Sequence, residues 1–240
     1  MRIVGVIMRK FLLFPAFLVL GAGSAFAGAD WTGFYVGAHG GYTWIDTDYP
    51  GAPAHPAGPP RPDLESGIVG GQIGYNFQFD NVVVGGEADL SFSGIEETVR
   101  DGNYITQTHT INHFGSIRAK VGMALGSFLP YVTGGWAWAD MDYNQTCPDP
   151  AAVVAGHCRA AAGFAPYNNT TNETETGWVI GGGFAYMIDN NWSIKTEYLH
   201  YDFDDQGYNL GKTPSGLELG VKTLEHEMDV FKIAVDFKLF

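Results

Sequence analysis

The sequence predicts an all-β protein whose eight antiparallel strands close into an up-and-down barrel. Three observations lead to this fold: segments alternate apolar with polar residues, their connections are short and long in turn, and helical periodicity is weak. The alternating segments lie at residues 33–44, 67–79, 82–92, 110–123, 129–139, 177–188, 192–203 and 227–239. Their lengths suit tilted strands that span a membrane, which need about 9–11 residues.

The connections between these segments fall into two classes. The short ones are "DN" at Asp80–Asn81, "ALGSF", and "DN" at Asp189–Asn190 with one further Asn, all typical of tight hairpin turns. The others are long and polar, such as "IDTDYPGAPAHPAGPPRPDLES". Strict alternation of the two classes predicts an outer-membrane barrel with short periplasmic turns on one rim and long extracellular loops on the other.

The N-terminal segment has the three parts of a secretory signal peptide. "MRIVGVIMRK" is the basic region, "FLLFPAFLVLG" the apolar region, and "SAFA" a small-residue cleavage site after Ala27. We therefore expect residues 1–27 to be removed and residues 28–240 to form a single barrel domain.

Net charge argues against several classes of function. Without Arg2, Arg9 and Lys10, the 13 basic residues fall to 10 against 26 acidic residues, a net charge of −16. Nucleic-acid binding needs a basic stripe, and binding to an anionic membrane surface needs a polybasic patch. Neither partner is expected for so acidic a chain.

Alternation within each segment separates an apolar face from a polar one. The apolar positions of the first, third and last segments include Phe34, Val36, Trp44, Val82, Val84, Leu90, Phe92, Phe231, Ile233, Val235, Phe237 and Leu239. In the fourth segment they are Ile111, Ile117, Ala119, Val121 and Met123. In the fifth segment, Val132, Trp136 and Trp138 indicate that the even-numbered positions face outward. Tyr131, an aromatic residue at an odd-numbered position, contradicts this assignment. Aromatic residues also gather at segment ends, as in the girdles of membrane barrels.

The polar face carries charges of both signs, and we expect it to line the barrel interior. The predicted lumen network comprises Glu87, Asp89, Arg118, Lys120, Lys195, Glu197, Lys232 and Asp236. The lumen of an eight-stranded barrel is just wide enough for side chains to fill. Opposite charges there can pair, whereas an isolated buried charge costs several kcal/mol. A static, paired plug is favoured, and a narrow ion path is the alternative.

Few other residues suggest a disulfide, a bound metal or cofactor, or a catalytic role. Cys147 and Cys158 predict a disulfide across a loop, because a secreted chain meets an oxidising compartment. A metal site with His157 is the weaker reading. His55, His109, His157 and His226 lie in or beside loops, where haem ligation is the alternative to solvation. We find no nucleotide motif and no Ser–His–acid set, and we expect neither an enzyme nor a bound cofactor.

Several motifs together resemble the small porin-family outer-membrane β-barrel proteins of Gram-negative bacteria, which share the OmpA-like eight-stranded barrel. The motifs are "WTGFYVGAHGGYTW", "GGQIGYNFQFDNVVVGGEADL", "FGSIRAKVGMAL", "LPYVTGGWAW", "GWVIGGGFAYMIDNNWSIKTEYLHYDF" and the Phe-terminated last strand. The resemblance implies a monomeric surface antigen in the outer membrane, surrounded by lipid and lipopolysaccharide. It also implies insertion by the barrel-assembly machinery, aided by periplasmic chaperones, through a C-terminal signal at Phe237, Leu239 and Phe240. Some relatives bind haem or act as adhesins, and these roles, with a narrow porin, are the alternatives to a structural role.

Overall fold

The computed structural model describes residues 29–48, 64–101, 105–147, 167–209 and 221–239. They form eight strands: β1 (Gly33–Asp48), β2 (Leu64–Phe79), β3 (Val82–Asp101), β4 (Ile105–Met123), β5 (Phe128–Cys147), β6 (Tyr167–Met187), β7 (Trp192–Asn209) and β8 (Val221–Lys238). Each strand pairs antiparallel with its neighbours in sequence, and β8 pairs with β1. The predicted closed barrel is confirmed. No helix in these residue ranges is long and apolar enough to cross a membrane.

Short turns join the strands at one end, called here the turn end; the opposite end is the loop end. At Asp80 the backbone adopts a left-handed conformation with φ of 51°, which an Asp tolerates in a two-residue hairpin. In the turn before β7, Asp189 Oδ1 accepts hydrogen bonds of 2.8 Å from the backbone N–H groups of Asn191 and Trp192. These polar turn residues satisfy backbone groups that the ladders leave open.

The outside of the barrel is apolar and its inside is mixed, as the alternation predicts. The fifth segment, which the sequence left open, follows the same rule: Val132 and Trp136 point outward, and Tyr131 points inward at 6% exposure. Tyr131 is tolerated inside because its hydroxyl donates to Glu197 at 2.9 Å.

One predicted orientation is wrong. Ile111 was placed on the outward face with Ile117, but it lies inside the barrel at 6% exposure. The register between β4 and β5 shifts between Ile111 and His113, so Asn112 is an extra residue in β4. A bulge of this kind reverses the alternation beyond it, which an unbroken period of two cannot anticipate.

The strands also extend further toward the loop end than the alternation indicates. The fifth and sixth segments were predicted at 129–139 and 177–188, whereas β5 and β6 span Phe128–Cys147 and Tyr167–Met187. The added residues are polar on successive positions, for example "NNTTNETE" in β6. They lack the apolar alternation from which the strands were predicted.

The barrel interior has three layers. Apolar residues fill the turn-end layer: Trp31, Val83, Ala124, Leu129, Tyr131 and Ala185. A larger loop-end layer consists of Ile45, Ile68, Ile111, Phe114, Ala137, Ala139, Met141, Val179, Leu199, Tyr201, Phe203, Met228 and Val230. The ionised side chains lie between these two layers.

Candidate functional site

The middle layer of the lumen holds all eight ionisable residues that the sequence placed there. We call this set the charged layer: Glu87, Asp89, Arg118, Lys120, Lys195, Glu197, Lys232 and Asp236. Each is only 2–8% exposed. Four carboxylates meet four cations, so the formal charge of the layer is zero. Burial of ions at this density is tolerated when each finds a partner.

Glu87 on β3 is the centre of the charged layer. Its Oε1 accepts a hydrogen bond of 2.6 Å from Arg118 Nη2, the residue paired with it on β4. Its Oε2 accepts from Lys195 Nζ at 2.7 Å and from the Tyr35 hydroxyl at 2.6 Å. Lys120 Nζ lies 3.6 Å from the same oxygen. One carboxylate therefore ties together β1, β3, β4 and β7.

Arg118 links three carboxylates across the lumen. Besides Glu87, its guanidinium lies 3.2 Å from Asp89 Oδ1 and 3.3 Å from Glu197 Oε1. The planar fork of donors suits this role better than a lysine ammonium. Arg118 thus joins β3 and β4 to β7 on the far wall.

The remaining ion pairs bring in the last strand. Lys232 Nζ donates to Asp89 Oδ2 at 2.9 Å, and the other oxygen of Asp89 accepts from the Ser116 hydroxyl. Lys195 Nζ lies 3.4 Å from Asp236 Oδ2. Both β8 charges are therefore paired with residues on other strands.

Neutral polar residues complete the charged layer, and the sequence did not single them out. His39 Nδ1 lies 2.6 Å from Gln72 Oε1, and Gln72 Nε2 donates to Asp236 Oδ1 at 2.6 Å. Because the Gln72 amide nitrogen must face the carboxylate, its oxygen accepts from His39 Nδ1–H. His39 Nε2 then accepts from the Ser91 hydroxyl at 2.8 Å. The alternation in β1 places His39 on the inward face, but this position alone does not show whether its side chain takes part in the charged layer.

Inward glycines make room for the charged layer. A Cβ added at Gly37 would collide with Asp236 Oδ1, Gln72 Nε2 and the Val235 carbonyl oxygen. One added at Gly74 would collide with the Tyr35 hydroxyl. Glycine is thus required where a side chain from a neighbouring strand crosses directly above the backbone.

The segment before β1 folds over the turn end. Trp31 is buried, its backbone N–H donates to Gln78 Oε1 at 2.9 Å, and its indole N–H donates to the Gly126 carbonyl at 3.2 Å. Next to it, the Thr32 backbone N–H donates to Asp30 at 2.9 Å and lowers the pKa of that carboxyl. Trp31 thereby covers part of this end of the lumen.

A small pocket beside Trp31 runs from the turn residues Asp189–Asn191 to the charged layer. Its volume is about 30 Å³, and Asn76, Lys120, Tyr131 and Lys195 contribute to its wall. This is room for about one or two water molecules. Water in this pocket would reach the charged layer from the turn end.

The other predicted sites are partly outside the described residues. Phe237 and Leu239 lie on the outward face, where the ring centroids of Phe237 and Trp192 are 4.8 Å apart, and Phe240 is outside the described residues. Cys158, His55 and His157 are outside them as well. Of Cys147, His109 and His226 only the backbone is described. The insertion signal, the disulfide and the haem alternative stay predictions.

A closed eight-stranded barrel that is apolar outside and ionised inside defines an integral membrane β-barrel. The model of the outer membrane protein beta-barrel domain family matches residues 13–222, and the chain belongs to this family. The protein is therefore an outer-membrane protein whose strands lie in lipid. In such barrels the short turns face the periplasm and the long loops the exterior, so the turn end is periplasmic and the loop end external.

Named relatives agree with this assignment. The 31 kDa outer-membrane immunogenic protein of Brucella melitensis biotype 1 is 31% identical over 188 residues, covering 72% of this chain and 71% of that protein. The 22 kDa outer membrane protein of Rhizobium leguminosarum bv. viciae is 29% identical over 182 residues, covering 75% and 68%. Among solved structures, outer membrane protein OprG from Pseudomonas aeruginosa has a TM-score of 0.49 at 16% identity, covering 87% of this chain and 96% of that chain.

Proposed function

We propose that this protein is a structural component of the outer membrane whose lumen is a sealed, self-neutralising core. The observation that carries the proposal is the position of the charged layer between two apolar layers. On the external side, Phe114 and Tyr201 pack edge to face with centroids 5.7 Å apart, and on the periplasmic side Trp31 covers the mouth. Ions would have to pass apolar side chains at both ends. A narrow porin is the competing function.

Planar-bilayer recording separates the two functions. We expect the purified barrel to show no discrete conductance steps. The variant Trp31→Ala/Tyr201→Ala, which removes one large side chain from each apolar layer, is expected to leak and so shows that the assay detects an opened lumen. Regular conductance steps from the parent protein would contradict the sealed core.

We further propose that the long external loops act as surface antigens. Support comes from the relatives named as immunogenic proteins and from the length and polarity of the predicted loops. Antibodies raised against the peptide 148–166 should label intact cells. Antibodies against the periplasmic turn around 188–191 should label only permeabilised cells. Equal labelling of intact cells by both would argue against this topology.

Assembly is proposed to follow the route of other barrels. The outward phase of Phe237 and Leu239 supports recognition of β8 by the barrel-assembly machinery, with periplasmic chaperones delivering the chain. Phe237→Ala is expected to slow insertion several-fold in reconstituted assembly, whereas Val235→Ala, on the same face, should not. The closed hydrogen-bond ladder supports a monomer in contact with lipid and lipopolysaccharide, because in the closed part of the barrel each strand is paired on both sides by strands of the same chain.

We also propose that the protein is not an enzyme. The ionised groups of the lumen are buried and paired with one another. A nucleophile or general base must instead reach its substrate directly or through one water. Hydrolysis of peptide, ester or phosphate substrates by the purified barrel, at a rate lost in Glu87→Gln, would contradict this.

A further inference from the structure

Strands β3, β4, β5 and β6 continue as a four-stranded sheet beyond the last residues that pair β3 with β2 and β6 with β7. The pairing of β2 with β3 runs to Ile68–Ser93 on the external side, and that of β6 with β7 to Gly177–Phe203. Beyond these pairs, β3, β4, β5 and β6 stay paired with each other up to Asp101–Ile105 and Cys147–Tyr167. We call residues 95–101, 105–111, 141–147 and 167–176 the external sheet.

The outward face of the external sheet carries neutral hydrogen-bonding side chains in register. One row across the four strands is Thr98, Thr108, Asn144 and Thr170, each paired with the next. The rows on either side add further Thr and Asn residues. The set, called here the neutral ladder, is Thr98, Thr108, Thr110, Asn144, Thr146, Asn168, Thr170 and Asn172, all half-exposed or exposed.

Hydrogen bonds within the neutral ladder fix its side chains. Asn144 Nδ2 donates to Asn168 Oδ1 and to Thr170 Oγ1, both at 2.8 Å. The Thr146 hydroxyl donates to Asn144 Oδ1 at 2.8 Å, and the hydroxyls of Thr98 and Thr108 are 3.2 Å apart. Such a surface loses little side-chain entropy when it binds a partner.

Charge on this face is sparse among its described side chains. The carboxylate of Asp142 lies between Thr110 and Asn172, and its Oδ2 accepts from Asn112 at 2.8 Å. A row of hydroxyl and amide groups matches a partner that is itself a dense array of hydroxyls.

The neutral ladder continues the face that contacts lipid. On the same face of β5, Trp136 and Trp138 have ring centroids 5.2 Å apart, and Trp178 on β6 pairs with Trp136. Aromatic residues of this kind mark the interface between acyl chains and headgroups. Asn144 lies six residues beyond Trp138, roughly 20 Å along the strand. In an outer membrane, the sugars of lipopolysaccharide surround the barrel above that interface.

We propose that the neutral ladder binds the core sugars of lipopolysaccharide. The proposal rests on the lipopolysaccharide contact given under the proposed function and assigns it to a particular surface. Sugar hydroxyls donate to and accept from the Thr and Asn side chains, while the acyl chains of the same molecule pack on the apolar band below. The neutral ladder thus recognises the sugar part, and the aromatic girdle holds the lipid part.

The test uses the full mature barrel in detergent, with its affinity measured for rough lipopolysaccharide bearing a complete core and for lipid A without core sugars. The triple variant Thr98→Val/Thr108→Val/Thr170→Val removes three hydroxyls and preserves side-chain shape and β-propensity. We expect its affinity for the core-bearing form to fall at least about fivefold, which corresponds to a loss of roughly 1 kcal/mol. Its affinity for lipid A should not change.

Two controls sharpen the result. Thr196→Val makes the same change on the outward face of β7 within the apolar band, and should bind both lipids as the parent does. Thr98→Ser/Thr108→Ser/Thr170→Ser keeps the hydroxyls and should retain affinity. Equal weakening for lipid A and core-bearing lipid, or no weakening of either, overturns the assignment to the neutral ladder. A parent barrel that binds neither lipid overturns the lipopolysaccharide contact itself.

Discussion

Within the membrane, the charged side chains of the strands point into the lumen and the face toward lipid is mainly apolar; in the external sheet, polar side chains face outward. Glu87 and Asn144 exemplify the two regions. Glu87 accepts from Arg118, Lys195 and Tyr35 in a buried layer, whereas Asn144 bonds its neighbours on a surface open to solvent. The contribution of a polar residue to stability in this barrel therefore depends on whether its removal leaves a buried partner unpaired. An ion that loses its partner in the lumen stays buried and poorly hydrated, whereas an amide that loses its partner on the external sheet can hydrogen-bond to water.

The largest effect should follow removal of a lumen carboxylate. Glu87→Ala leaves three carboxylates against four cations, and we expect the free energy of unfolding to fall by about 3–5 kcal/mol. Urea titration of the refolded barrel in lipid vesicles measures this. The matched control Glu65→Ala, at the exposed external end of β2, should change the value by less than about 0.5 kcal/mol. Equal midpoints for the two variants would contradict the role of the charged layer.

A second variant separates charge balance from packing. Glu87→Gln/Lys195→Met removes one charge of each sign and restores neutrality, so it should recover part of the stability lost in Glu87→Gln alone. We expect the double variant to be about 1–2 kcal/mol more stable than the single one. Additive losses in this double-mutant cycle would show that the two side chains act independently.

Intermediate effects are expected at the inward glycines. Gly37→Ala forces a methyl group against Asp236 and Gln72, and should cost about 1–3 kcal/mol through overpacking. Gly40→Ala is the control on the same strand, where the nearest atom, the Ile68 carbonyl oxygen, would lie 3.7 Å from the new Cβ. That variant should match the parent or exceed it slightly. A larger loss from Gly40→Ala than from Gly37→Ala would contradict the crowding of the lumen.

The external sheet should be the more tolerant region. Asn144→Ala removes hydrogen bonds to three neighbouring side chains, those of Thr146, Asn168 and Thr170, yet the freed groups are hydrated, so unfolding free energy should fall by at most about 0.5–1 kcal/mol. The same titration as for Glu87→Ala gives a direct comparison. A loss as large as that of Glu87→Ala would remove the distinction between the two regions.

The smallest effect is a pH dependence at the periplasmic end. The Thr32 N–H bond holds the pKa of Asp30 below its usual 3.8, so the carboxylate stabilises this turn above that pH. The contribution is lost as pH falls through the lowered pKa. In NMR spectra the Thr32 amide proton should titrate with a midpoint below 3.8 in the parent. It should not titrate there in Asp30→Asn; a higher midpoint in the parent would contradict the bond.

The period-two pattern allowed much of the fold to be predicted. It gave eight strands, their apolar outer face and the charged positions that fill the lumen, because lipid and a narrow interior impose opposite demands on alternate residues. It was wrong for Ile111, where the bulge at Asn112 reverses the phase. It also stopped short on β5 and β6, because the added residues are polar on successive positions and show no apolar alternation.

The neutral partners of the charged layer were beyond sequence reasoning for a different reason. Tyr35, His39 and Gln72 lie on inward phases, as many residues do. Their roles depend on contacts that pass over an intervening strand, as from Tyr35 to Glu87 and from Gln72 to Asp236, and the curvature of the closed barrel sets those distances. Charges could be predicted without this information because a buried ion requires a partner wherever it lies.

The partners of the charged layer are far apart along the chain, and this has a consequence for biogenesis. Glu87 and Arg118 are 31 residues apart, but Lys195 and Glu87 are separated by 108, Lys232 and Asp89 by 143, and Gln72 and Asp236 by 164. Before β8 docks, Asp89 lacks its lysine and Gln72 its carboxylate, so a nascent, open cylinder must keep these groups hydrated. If β8 docked one residue out of step, Lys232 and Asp236 would turn toward the acyl chains. Formation of the seam therefore selects its own register, because a slipped final strand would place its charges in lipid and the correct register pairs them in the lumen.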